Sequence, residues 1–94
     1  MTLEDKEVFR YISDSFGRDV AKVCGKTLYK RCNSEWTPLN LGLLLYAYHV
    51  GAKTPPILAT YLLKKPPRND AFEKCMYEAQ QIIEIGRLRV ADAT

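Results

Sequence analysis

Few residues in this 94-residue chain have side chains able to do chemistry on a substrate. There is one histidine, His49, and there are three cysteines, Cys24, Cys32 and Cys75. His49 sits inside an apolar run, where a lone imidazole reads as a hydrogen-bonded core or boundary residue. A nucleophile needs a base within hydrogen-bond reach, and no serine or cysteine has one nearby in sequence. The cysteines are separated by seven and forty-two intervening residues, so no Cys-x-x-Cys pair suggests zinc. A site built from Cys24, Cys32, His49 and Cys75 would have to gather four distant residues, and their spacing gives it no support. No glycine loop cradles a phosphate. The expectation is therefore no catalytic residue, no metal and no cofactor.

The cysteines also bear on redox state. An odd number argues against a disulfide framework. If Cys24 and Cys32 share a helix they lie about 12 Å apart along its axis, too far to bridge. Reduced thiols point to the cytoplasm.

Binding chemistry is better represented. Arg18, Lys22, Lys26 and Lys30 recur every four residues and form one stripe on a helix, with Arg31 nearby. Tyr29 is read on the same face. Val20, Cys24, Leu28 and Cys32 point the other way. A basic face of this kind suits phosphates or an acidic protein surface. A second basic group, Lys64, Lys65 and Arg68, follows the fourth predicted helix and suits nucleic-acid backbone. The third and fourth helices, with Gly51 between them, have helix-turn-helix spacing. The would-be recognition helix, Ile57-Leu58-Ala59-Thr60-Tyr61-Leu62-Leu63, is short of the polar side chains that read base edges, and core packing explains its pattern as well.

The last helix offers a third feature. Phe72, Cys75, Met76, Ala79, Ile82, Ile83, Gly86 and Val90 make one apolar stripe at three- and four-residue steps. Tyr77, Ile85 and Leu88 lie roughly opposite. A second apolar face on the outer helix of a small domain points to docking or to a homodimer through that helix.

These groups must be positioned by helices, and the punctuation predicts five. Thr2 caps the first, with Asp5 three residues on. Val8, Phe9, Ile12 and Phe16 form its apolar face, and Gly17 ends or kinks it. The second runs from about Asp19 to Cys32, followed by a loop at Asn33-Ser34-Glu35. Thr37-Pro38 opens the third, which runs to Val50. Trp36 and Leu41 have the spacing of a hydrophobic staple. Leucines almost all round this helix predict the buried centre of the fold. Thr54-Pro55-Pro56 opens the fourth, and Pro66-Pro67 stops it. The fifth runs from about Asp70 to Val90. No strand-like alternation, repeat or low-complexity segment interrupts this pattern.

The whole reads as a single all-α domain over residues 1–94: a compact bundle of about five helices, with a buried central helix and a long C-terminal one. The apolar fraction of 47% suits a globular chain, and a net charge of +3 is mild for a dedicated nucleic-acid binder. No apolar run is long enough to span a membrane, and the acidic N-terminus does not resemble a secretion signal. The expected function is that of a small non-enzymatic regulatory or inhibitory protein, with an acidic protein surface as partner. Its size suits the modulators of phages and mobile elements, such as antirepressors or host-factor inhibitors. The alternative is a helix-turn-helix-like DNA-binding regulator.

Overall fold

The computed structural model describes residues 3–31 and 36–93, without the side chains of residues 4, 92 and 93. Thr2, Cys32 and the Asn33-Ser34-Glu35 loop lie outside the described residues. Five α-helices follow one another: α1 Leu3–Phe16, α2 Arg18–Cys24, α3 Pro38–His49, α4 Pro55–Leu62 and α5 Asp70–Ala93. A π-helical segment, Gly25–Tyr29, continues α2 without a break. The described residues contain no strand.

Helix α3 is the centre. It buries Asn40, Leu41, Gly42, Leu43, Leu44, Leu45 and Ala47 against α5 on one side and α4 on the other. Each fully buried leucine contributes about 1.5–3 kcal/mol. The start of α3 is fixed twice. Thr37 Oγ1 accepts from the Asn40 N–H at 3.3 Å, and Asn40 Oδ1 accepts from the Thr37 N–H at 2.8 Å. This reciprocal cap satisfies two amides that the helix itself cannot. Pro38 follows at the first helical position. Trp36 and Leu41, the expected staple pair, are both buried in the core. The end of α3 is a Schellman turn: the Ala52 N–H donates to Ala47 C=O at 3.1 Å and the Gly51 N–H to Tyr48 C=O at 3.0 Å. Gly51 supplies the required positive φ, 73°.

Where α3 crosses α5 the two backbones nearly touch. A Cβ on Gly42 would lie 3.2 Å from Met76 Cα and 3.1 Å from its sulfur. Asn69 then anchors α5. Its Oδ1 accepts from the Phe72 N–H at 2.8 Å, and its Nδ2 donates to Tyr46 Oη at 3.2 Å. Phe72 meets the Tyr46 ring edge-on at 5.7 Å.

Helix α1 packs on α2 and α5. Its expected face holds: Val8 and Ile12 are buried, and Phe9 and Phe16 pack against the core. Phe16 stacks on Tyr48 with ring centres 4.1 Å apart. A single residue, Gly17, joins α1 to α2. Its φ of 103° and ψ of 152° are open in practice only to glycine.

Candidate functional site

The second helical segment does present its cations to solvent. Arg18, Lys22, Lys26, Lys30 and Arg31 are all exposed, while Ala21, Cys24 and Leu28 are fully buried. One acid, Asp19, is exposed beside the stripe at its N-terminal end. Tyr29 departs from the expected placement. It is buried, its hydroxyl donates to Asp5 Oδ2 at 3.0 Å, and its ring lies 5.9 Å from that of Trp36. The cause is the π segment. There each hydrogen-bonded loop gains a residue, which turns later side chains back around the axis. Tyr29 joins Leu28, which was expected there, among the core residues as a result. Thr27 supports this geometry, since its hydroxyl donates to the Val23 carbonyl one turn back.

The π segment packs on α4. Between them runs a shallow groove of about 270 Å³, lined by Thr27, Arg31, Ile57, Thr60, Tyr61 and Lys64. Ile57 is 61% exposed and Tyr61 72% exposed. These two residues form the outer face of α4. The helix buries Pro56 and Ala59, packs Leu58 and Leu62 against the core and turns Ile57 and Tyr61 outward. The groove brings together two cations that are far apart in sequence, Arg31 after the α2 stripe and Lys64 after α4. Lys64, Lys65 and Arg68 are exposed, and they border a wide hollow at the α4–α5 turn with Pro66, Pro67, Phe72 and Glu73.

Charge is strongly segregated along the chain. Residues 20–69 hold eight Lys/Arg and one acid, Glu35, a net +7. Residues 1–19 and 70–94 each hold three Lys/Arg and five acids, a net −2 apiece. The fold keeps this division, because α1 pairs with α5 and α2 with its π extension reaches α4. The residues that line the groove come from the basic segment, whereas α1 and α5, which pack on each other, come from the two acidic ones. There, Glu7 pairs with Arg10 at 3.6 Å and with Arg89 of α5 at 3.7 Å.

On α5, Tyr77, Ile85 and Leu88 are exposed at 65%, 48% and 57%. They do not make one patch. Tyr77 and Leu88 lie on one line, with Gln81 and Glu84 between them. Ile85 turns toward α1 and lines a small pocket of about 100 Å³ with Glu7, Tyr11, Ile82, Gly86 and Arg89.

The residues considered for catalysis are placed as follows. His49, expected in the core or at its boundary, is exposed as the last residue of α3. Cys24 is fully buried, and burial pushes its thiol up to about 12, against a lowering backbone hydrogen bond. Burial, and then the charge of Glu78, raise Cys75 as well. Burial, then the neighbouring Cys24, raise Tyr48. Thiols held protonated in this way are poor nucleophiles and poor metal ligands. Among the described residues, no three His, Cys, Asp or Glu side chains come together as a metal set. No helix among them is long and apolar enough to cross a membrane.

The arrangement thus defines an all-helical protein with a groove lined by two cations and two exposed apolar side chains. Compared with protein-family models, with curated proteins and with solved structures, the chain matches none of them.

Proposed function

We infer that the protein is a small non-enzymatic regulator that works by docking on another protein, through the groove between the π segment and α4. The observation that carries this reading is the pairing of chemistries there. Two large apolar side chains, Ile57 and Tyr61, stand in solvent between Arg31 and Lys64. Aromatic and arginine side chains are the usual anchors of protein interfaces, and exposed apolar groups on a small chain favour contact with a partner. The α2 cations Arg18, Lys22, Lys26 and Lys30 extend the positive field beyond the groove, and such a field speeds encounter with an acidic surface.

The groove also favours protein over duplex DNA. A recognition helix reaches base edges with Arg, Lys, Asn, Gln or Ser from its first turns. The outer face of α4 offers Ile57 and Tyr61 instead. Lys64, Lys65 and Arg68 alone would supply phosphate contacts without sequence readout.

Capture from host cells, with wild-type protein beside an Ile57→Asp/Lys64→Glu double variant, tests this. The wild type is expected to retain a protein that the double variant loses, with retention weakening as salt rises. Equal retention by both would remove the groove from the account. Tight, salt-steep binding of duplex DNA by the wild type would favour the DNA-binding alternative.

A further inference from the structure

We propose that the groove also accepts α5 of a second copy of this chain, giving head-to-tail self-association. This does not depend on any foreign partner. Two surfaces of the same molecule are complementary. The outer line of α5 reads Glu73, Tyr77, Glu84, Leu88, at separations of four, seven and four residues. At about 100° per residue these four fall within about 60° of one another around the axis. All four are exposed. The helix therefore shows solvent two apolar side chains, each with an acid one turn before it, and Glu84 pairs with Arg87 of the same helix at 3.8 Å. The groove shows the converse, with Ile57 and Tyr61 one turn apart and Arg31 and Lys64 beside them.

The larger charge division runs the same way. The segment that builds the groove carries +7, and the segment that contains α5 carries −2. A symmetric pairing of α5 on α5 would instead set the acid-bearing line against itself, and like charges in an interface are costly. A groove-to-α5 contact uses a different patch on each copy, so it is heterologous. It continues from copy to copy unless rotation closes a ring. A standard interface covers about 800 Å² per partner, roughly an eighth of the 6221 Å² surface of this molecule. The line from Tyr77 to Leu88 spans about 16 Å, long enough to place both apolar anchors in such an area.

Two variants make the contact testable by sedimentation velocity. Ile57→Asp spoils the groove and leaves α5 intact, and Leu88→Asp does the reverse. Both positions are exposed, so circular dichroism and thermal melting should match the wild type. Wild-type protein is expected to associate with rising concentration and to dissociate with rising salt. Each variant alone should associate at least about tenfold more weakly. Mixed in equal amounts, the two should form a one-to-one pair of near wild-type affinity that grows no further, since one intact groove meets one intact α5. Three results overturn the proposal: a wild type that stays monomeric, an Ile57→Asp variant that associates like wild type, or a mixture that stays monomeric. The second of these would mark a symmetric α5 dimer.

Discussion

At the scale of single residues, the buried polar and sulfur groups carry the clearest consequences. Cys24 has a thiol raised by burial from 9.0 to about 12. It should resist iodoacetamide in the native chain and react once the chain unfolds, as peptide mapping at Cys24 would read. A folded value above the unfolded one means that the folded state keeps a proton the unfolded state releases. The associated stability is complete below about pH 9 and is lost as pH rises toward about 12. Wild-type melting temperature is therefore expected to fall across that window more steeply than that of Cys24→Ala, which lacks the thiol. Tyr29 offers a second test. Its hydroxyl joins the α2 extension to Asp5 of α1 across 24 residues of chain. Tyr29→Phe should cost about 1.5–3 kcal/mol in chemical denaturation if the carboxylate is the partner that matters. A loss no greater than a surface substitution would contradict that. Tyr29 was also hard to read from the sequence. Its position beside a basic stripe assumed α-helical spacing, and the π segment moved it into the core.

At the scale of elements, local signals were legible where backbone chemistry decides the outcome. Thr37-Pro38, Gly51 and Thr54-Pro55-Pro56 marked real boundaries, because caps and proline geometry depend on neighbours in sequence. The leucine-rich α3 was legible as the centre because it has no polar face to turn outward. Less legible was which face of α4 is wet. Every turn of α4 carries apolar residues, and only tertiary packing selects Pro56 and Ala59 for burial over Ile57 and Tyr61. The closeness of α3 to α5 was equally hidden, because a glycine in a helix does not name its neighbour. Gly42→Ala would push a methyl to within 3.2 Å of the Met76 backbone. It should destabilise by about 1–3 kcal/mol even though alanine is the better helix former. Unchanged or raised stability on thermal melting would show that the crossing can relax. Thr37→Ala, which removes one half of the α3 cap, should cost about 1 kcal/mol by the same assay.

At the scale of the whole molecule, the proposed docking rests on how the fold places charge and exposed apolar surface. The α2 stripe was visible in the sequence at Arg18, Lys22, Lys26 and Lys30, as were the cations at Lys64, Lys65 and Arg68. That Arg31 and Lys64 meet at one groove was not, since it depends on the π segment packing against α4. The exposure of Tyr77, Ile85 and Leu88 was expected, but the place of Ile85 in a pocket beside α1 follows from the packing of α5 on that helix. Charge reversal should respect this placement. Lys64→Glu should weaken docking of an acidic protein by at least about tenfold. Reversing Lys53, which does not line the groove, should change it much less. Site-specific photo-crosslinking in host cells, with a benzophenone side chain at position 61 and a control at exposed position 10 on α1, tests the docking claim most directly. The account predicts strong adducts from position 61 to protein segments rich in acidic and apolar residues, and few from position 10. Equal yields from both positions, or adducts from position 61 to nucleic acid alone, would contradict it.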